Sequence, residues 1–295
     1  MKNRAGFVAL VGRPNVGKST LLNRLLGQKL AITSHKPQTT RHSILGISTL
    51  KEGQIVYIDT PGIHKRGDKA MNRYLNRTAT STLGGVDLVV FVVDAGCWTE
   101  EDSLVLERVR ESRLPCLLVI NKIDTIKPKE RLLPLMAELR ARTAIDDMIP
   151  LSAKSGDNCN ALEQAIIQQL PEAENIYPED QITDRPERFF AAELVREQIT
   201  RRYHQELPYA VSVEIEEFDE RPHILRISAV IWVERPNQKA ILLGRGGEAI
   251  KKTATEARKE LEKFFRKKVF LRLWIKVKAS WSSDQASLAQ LGYTD

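Results

Sequence analysis

Short continuous apolar runs punctuate the first half of the chain, and polar turns follow each of them. Phe7 to Val11, Ile55 to Ile58, Leu88 to Val93 and Cys116 to Ile120 are aliphatic runs of strand length, and Met148 to Leu151 is a shorter one. Between them the apolar residues recur every three or four positions, predicting helices from Ser19, over Asp102 to Ser112, Lys129 to Arg142 and Asn160 to Leu170. The helix from Ser19 turns Leu21, Leu22, Leu25 and Leu26 to one side. Apolar strands alternating with helices predict an α/β unit, a mainly parallel sheet covered by helices on both faces.

Pro171 to Pro186 breaks this rhythm with three prolines and five acidic residues, and reads as an extended linker. Beyond it the period changes. A helix over Glu187 to His204 is followed by alternating strands at Tyr209 to Glu217 and His223 to Val233. A short helix ends at Gly244, a longer one spans Gly247 to Phe265, and a strand covers Val269 to Val277. The order α-β-β-α-α-β predicts a smaller α+β domain. The expected division is 1–172, a linker 173–186, a second domain 187–280 and a tail 281–295.

With 295 residues, 42% hydrophobic and 28% charged, the chain has the composition of a two-domain globular protein rather than a disordered or fibrous one. No apolar run approaches the roughly 18 residues of a spanning helix. A strand beginning near Phe7 leaves no room for a signal or transit peptide. Cys97, Cys116 and Cys159 fit neither a zinc set nor a disulfide framework, as expected of reduced thiols in an intracellular protein. The net charge of +7 is unevenly spread: +8 over 1–150, −9 over 151–234 and +10 over 235–280. A basic segment of under fifty residues beside an acidic one suggests a polyanion partner.

The chemistry sits in the turns after the strands. Gly12, Arg13, Pro14, Asn15, Val16, Gly17, Lys18 and Ser19, with Thr20 next, match the phosphate-loop pattern G-x-x-x-x-G-K-[ST] between a strand and a helix. There, backbone N–H groups and the helix dipole face phosphate, Lys18 reaches the terminal phosphates, and the Ser19 hydroxyl is a Mg²⁺ ligand. Asp59, Thr60, Pro61 and Gly62 follow the next strand that can flank the loop. Asp59 is placed to hold Mg²⁺ through water, and Gly62 to offer its N–H to a γ-phosphate, with Ile63 after it. Asn121, Lys122, Ile123 and Asp124 choose the base, since a carboxylate accepting two hydrogen bonds matches guanine and not adenine. Ser152, Ala153 and Lys154 would add a backbone donor near the guanine carbonyl. Four motifs in order, each behind its own strand, imply a GTP/GDP site.

Between the first two motifs, Lys36 to His42 is a polar loop with two threonines, the pattern of a segment ordered by γ-phosphate and Mg²⁺. Thr40 is the preferred metal ligand, beside Ser19 and Asp59, with Thr39 the alternative. In the second domain, Gly244, Arg245, Gly246 and Gly247 form a G-x-x-G loop between two helices, where a nucleic-acid backbone can approach closely. Ile241 and Ile250 would floor a groove for single-stranded bases, and Lys251 and Lys252 lead a basic row that neutralises phosphate. This predicts a KH RNA-binding domain. Trp274 and Trp281 are aromatic candidates for base stacking, with core packing the commoner use of such residues.

Taken together, these residues resemble the Era family of bacterial GTPases over the whole chain, from Gly12–Ser19, Gln38-Thr-Thr-Arg41 and Asp59–Gly62 to the closing Leu291-Gly-Tyr293. The resemblance implies a Ras-like P-loop NTPase domain joined to a type II KH domain. It implies a monomeric cytoplasmic GTPase that binds the 3′ end of 16S rRNA and acts in assembly of the small (30S) ribosomal subunit. Peripheral binding to the anionic inner membrane also comes with it, although the basic segment lacks an amphipathic stripe with paired aromatics. Two positions bear on catalysis. Ile63 stands where Ras-like enzymes keep a water-orienting glutamine, so slow intrinsic hydrolysis is expected. Asn15 matches the asparagine through which similar GTPases bind K⁺. The catalytic set is thus Lys18, Thr40, Gly62 and Asn15. Two other readings are an RNA-binding protein whose GTP is uncoupled from RNA, and a membrane-surface GTPase.

Overall fold

The computed structural model describes residues 3–36, 38–62, 70–204 and 207–293. The chain divides into two units, one of Met1–Thr33, Thr40–Gly67 and Leu75–Asp184, the other of Ser34–Thr39, Asp68–Tyr74 and Arg185–Asp295.

The first unit is a six-stranded sheet in the order β2-β3-β1-β4-β5-β6. Strands β1 (Arg4–Val11), β3 (Gly53–Asp59), β4 (Leu88–Asp94), β5 (Cys116–Asn121) and β6 (Met148–Pro150) are parallel, and β2 (Ile44–Leu50) runs antiparallel to β3. From Leu88 to Val93 every side chain of β4 is buried, as a central strand covered on both faces requires. The helices are α1 (Lys18–Leu25), α3 (Glu100–Ser112), α4 (Leu132–Thr143) and α5 (Cys159–Gln169), while α2 (Ala70–Ser81) is divided, its residues through Tyr74 belonging to the second unit and those from Leu75 to the first. The chain leaves β3 on one side of β1 and crosses to β4 on the other. This puts the C-terminal end of β1 at a topological switch point, where open α/β sheets bind ligands.

Some expectations need adjustment. Strand β2 carries no clean alternation (apolar at 44, 45, 47 and 50) and forms because β3 offers it a paired edge. The helix expected over Lys129 to Arg142 opens with a 3-10 turn, Lys129–Arg131. Residues 171–186 are free of helix, and Ile176, Tyr177 and Ile182 among them are fastened within the first unit. Ile47 N–H donates to the Ile182 carbonyl (2.8 Å), and the Gln54 carboxamide accepts from Ile176 and Tyr177 N–H (both 2.9 Å).

In the second unit a three-stranded sheet, order β7-β8-β9, is built from β7 (Val211–Glu220), β8 (Ile224–Val233) and β9 (Lys268–Val277). The β7/β8 pair is antiparallel and β8/β9 parallel. Helices α6 (Glu187–Arg202), α7 (Pro236–Leu243) and α8 (Glu248–Phe265) pack with it around a core that includes Leu194, Val195, Ile199, Ile227, Ile231, Leu242 and Leu261.

The tail is structural. A short helix α9 (Gln285–Gln290) is capped by Asp284, whose carboxylate accepts from Ser287 N–H (2.8 Å). Trp281 is fully buried, stacks on Tyr293 at 6.0 Å and donates its indole N–H to the Ala210 carbonyl (3.2 Å). Trp281 is therefore core and cannot stack on bases. Trp281→Ala should destabilise the second unit by roughly 3–5 kcal/mol in urea unfolding, the usual range for emptying a buried indole site. A change below about 1 kcal/mol, the level of ordinary surface substitutions, would show that the tail is only loosely held.

Candidate functional site

All four nucleotide motifs emerge at the C-terminal edge of the first sheet. After β1 the loop must turn sharply into α1, and glycine is required where it does so. Gly17 has φ +105°, and a Cβ there would lie 2.3 Å from the Asn121 side-chain nitrogen; at Gly12 it would lie 2.4 Å from the Val92 carbonyl. At Gly62 a Cβ would come within 2.7 Å of Pro14 N, so the end of the second motif lies against the phosphate loop.

Lys18 is buried, and its Nζ donates to the carbonyls of Gly12 (2.7 Å) and Arg13 (3.0 Å). Burial lowers its pKa to about 8, against the opposing pull of the Asp59 carboxylate. Asp59 ends β3, fully buried; burial raises its pKa to about 6, while Lys18 and the Ser19 hydroxyl pull it down. Ser19 Oγ donates to Asp59 Oδ2 (2.6 Å) and lies 2.8 Å from Thr40 Oγ1. Thr39 is turned the other way, its hydroxyl donating to the Lys36 carbonyl (2.6 Å). Of the two threonines, Thr40 is the one beside Ser19.

The three candidate metal ligands are thus gathered, and Asp59 Oδ1 is buried with no protein partner among the described residues. One carboxylate and two hydroxyls are hard oxygen donors, suited to Mg²⁺ with water and phosphate completing its shell. The donor set fits the group. Ile63 lies outside the described residues.

The base-side motifs are clasped to the phosphate loop by Asn121. Its Nδ2 donates to the Val16 carbonyl (2.8 Å), and its Oδ1 accepts from Lys122 N–H (2.7 Å) and Ala153 N–H (3.0 Å). Lys122 Nζ donates to the Asn15 carbonyl (2.7 Å) and pairs with Asp94 (2.6 Å). Asp124 is exposed, and one of its oxygens accepts from Ser152 Oγ (2.7 Å). Asn15 sits at φ +64°, a left-handed position that asparagine tolerates.

Several residues named within the motifs hold the loop with their side chains. Thr60 Oγ1 donates to the Leu10 carbonyl (2.9 Å), and Ile123 packs against the core. Arg13 reaches α3, its Nε donating to the buried Asp102 (2.9 Å). Sequence reading missed Asp94, Asp102 and Arg24, which donates to the Ala153 (3.2 Å) and Lys154 (2.5 Å) carbonyls. Only Asp102 had a local signal, the Thr99-x-x-Asp102 capping box that opens α3.

In the second unit, Gly244, Gly246 and Gly247 all have positive φ (+68°, +57° and +80°), and the loop between α7 and α8 is open to solvent at Gly244, Arg245 and Gly246. Ile241 is exposed, Ile250 is half-buried against the core, and Lys251 and Lys252 are exposed on the first turn of α8.

Comparison with known proteins agrees with this geometry. Residues 7–122 match a family model described as 50S ribosome-binding GTPase, and residues 206–282 match the KH domain. The chain is 56% identical over 293 residues to GTPase Era of Pseudomonas aeruginosa, covering 99% of this chain and 96% of that one. The chain belongs to the Era family of GTPases. GTPase Era of Ectopseudomonas mendocina is 55% identical, with 99% and 98% covered. Two solved Era structures, each 37% identical and covering 99% of this chain and 100% of the other, superpose closely. A variant of the Aquifex aeolicus protein bound to GDP and AlF4⁻ gives a TM-score of 0.95, and Era with MgGDPNP and nucleotides 1506–1542 of 16S ribosomal RNA gives 0.96. The protein is a GTPase with a Ras-like domain followed by a KH domain. Among the described residues, no helix is long and apolar enough to cross a membrane.

The raised pKa of Asp59 yields a signed prediction, because its proton competes with a cation for the same oxygens. At subsaturating Mg²⁺ the gain in nucleotide affinity that the cation produces should be full above pH 7 and fall away as pH drops through about 6, the midpoint moving lower as Mg²⁺ is raised. Titrations with and without Mg²⁺ across that range test it, with Asp59→Asn as the control that lacks the gain throughout. A gain that persists unchanged at pH 5 would contradict the assignment.

Proposed function

We propose that this chain is a GTP-driven switch that holds the 3′ end of 16S rRNA through its KH domain and releases it on hydrolysis, during assembly of the 30S subunit. In this reading 1–172 is the nucleotide module and 187–280 the RNA module, joined by 173–186 and closed by 281–295. The observation that carries the reading is how the chain divides at Thr39 and Thr40. Thr40 belongs to the first unit and meets Ser19 there. Thr39 belongs to the second, where the Arg196 guanidinium donates to its carbonyl. Lys36 in the same segment donates to the Thr200 carbonyl (2.5 Å) and to the Tyr203 carbonyl at the end of α6. Any movement of Thr40 on nucleotide exchange is passed by one peptide bond to a residue held by α6. The RNA bound by the relative solved with nucleotides 1506–1542 supports the choice of partner.

Each residue then has a part in hydrolysis. Lys18 turns from the loop carbonyls to the β- and γ-phosphates, and the N–H groups of the loop wrap them. Ser19, Thr40 and Asp59 hold Mg²⁺, whose bound charge offsets that developing on the phosphoryl oxygens. Gly62 offers its N–H to the γ-phosphate, and Asp124 reads guanine with Asn121 keeping the motifs in register. Asn15 is a candidate ligand for K⁺. Ile63 cannot hydrogen-bond a water, so orientation of the nucleophile falls to backbone groups and to a partner.

Two substitutions separate the modules. Lys18→Ala should lower GTP affinity by about ten- to a hundredfold, the scale of a lost hydrogen bond to a charged group, and, with no nucleotide present, leave a short single-stranded RNA bound as by the unmodified protein. Gly247→Asp puts an anion and a side chain at φ +80° in the G-x-x-G loop. It should do the reverse, weakening RNA about tenfold or more at unchanged GTP affinity, since the loop clamps the RNA backbone. Fluorescence titration with a labelled non-hydrolysable GTP analogue and anisotropy with labelled RNA read both; normal RNA binding by Gly247→Asp would remove the KH assignment.

A further inference from the structure

The loop from Ser152 to Gly156, after β6, spends nearly all its backbone donors inside the protein. Ser152 N–H donates to the Asp157 carbonyl (3.0 Å) and Ala153 N–H to Asn121 Oδ1 (3.0 Å). Ser155 N–H donates to Ser152 Oγ (3.2 Å) and Gly156 N–H to the Ser152 carbonyl (2.8 Å). The Lys154 N–H has no protein partner among the described residues. Lys154 is exposed, so water satisfies this donor until a ligand takes its place.

The direction of that N–H is set from behind by Arg24, in the last turn of α1. Arg24 Nε donates to the Ala153 carbonyl (3.2 Å) and Nη2 to the Lys154 carbonyl (2.5 Å). In a trans peptide the C=O and the N–H point in opposite directions. The Ala153 carbonyl shares its peptide with the Lys154 N–H, and the Lys154 carbonyl shares its own with the Ser155 N–H. With both carbonyls on one rigid guanidinium fork, both N–H groups turn away from Arg24 together. On that side the Ser155 N–H meets Ser152 Oγ, which itself donates to Asp124 Oδ1 (2.7 Å). The free Lys154 N–H is therefore turned to the side on which Asp124 is held. Because α1 begins at Lys18, the helix that carries the phosphate-binding lysine also fastens the loop on the base side.

Guanine presents two donors, N1–H and the N2 amine, next to one acceptor, O6. Asp124 supplies acceptors for the pair, so the donor for O6 must lie beside Asp124. Adenine carries an amine in place of O6, and an N–H facing an amine leaves both donors unpaired. We propose that Arg24 is a positioning residue for base selection, holding two loop carbonyls so that the Lys154 N–H is aimed at guanine O6. The role rests on the reading of Asp124 as the guanine-binding carboxylate.

The test uses the full chain and the variant Arg24→Met, which keeps an unbranched apolar stem and removes the donors. Affinities for GDP and for its 6-thio analogue are measured by competition against a labelled GDP. The analogue keeps N1–H and the N2 amine but replaces O6 by sulfur, a weak acceptor. Loss of the Arg24 charge weakens both ligands alike, so the ratio of the two affinities isolates the contact to O6. The unmodified protein should prefer GDP, and Arg24→Met should shrink that preference about fivefold, the scale of one net hydrogen bond. Exchange of the Lys154 amide hydrogen, read by NMR, should be slowed by GDP in the unmodified protein and not in the variant. An unchanged preference in Arg24→Met, whatever the absolute affinities, would overturn the proposal. Equal affinity of the unmodified protein for GDP and the analogue would also overturn it, while leaving Asp124 as the reader of guanine. Equal affinity for GDP and ADP would remove the guanine reading itself, and the proposal with it.

Discussion

Burial of an ammonium and a carboxylate at one end of the first sheet is the constraint on which the nucleotide site depends. Lys18 and Asp59 are both withdrawn from water, and burial pushes each toward its neutral form, Lys18 to about 8 and Asp59 to about 6. Such a pair is tolerated when each charge helps to hold the other and when hydrogen bonds satisfy what remains. Ser19 bonds Asp59, and the loop carbonyls bond Lys18. The arrangement is close to complementary to a cation bound to a polyphosphate, which supplies the charges that both groups face. The glycines follow from the same demand, because Gly12, Gly17 and Gly62 stand where the strands, the loop and Asn121 come too close for any Cβ.

The second unit meets a different demand. Its G-x-x-G loop leaves Gly246 and Gly247 with open space around them, so their value lies in left-handed backbone and close access. Stability comes from elsewhere, from the core between α6, α8 and the sheet and from the tail, where Trp281, Tyr293 and Tyr74 form an aromatic cluster. Gly244 packs against Ala249, while the open space at Gly246 and Gly247 leaves that part of the loop to a ligand.

Much of this was legible in the chain because the signals are local. A phosphate loop between an apolar run and a helix, and three further motifs each behind a strand, needed no tertiary information to read. The α-β-β-α-α-β order showed through the change in period after Pro186. What stayed hidden depends on partners distant in sequence. Strand β2 takes its conformation from β3, and Ile176 and Ile182 are fastened by Gln54 and Ile47. Arg13 looks like a phosphate ligand until α3 brings Asp102 to it, and Trp281 looks like Trp274 until the tail folds back over Ala210. Helix α2, by contrast, was legible and went unread, with Met71, Tyr74, Leu75 and Ala79 buried at the spacing of one helical face.

The central claim is that nucleotide state sets RNA affinity. It is tested most directly by titrating the full chain with a single-stranded oligonucleotide copying the 16S rRNA 3′ end, once with GDP and once with a non-hydrolysable GTP analogue. The account predicts tighter binding with the analogue, by the five- to 150-fold or so of ordinary allosteric coupling. Equal affinity in the two states would contradict it, because a ligand without differential affinity shifts no equilibrium.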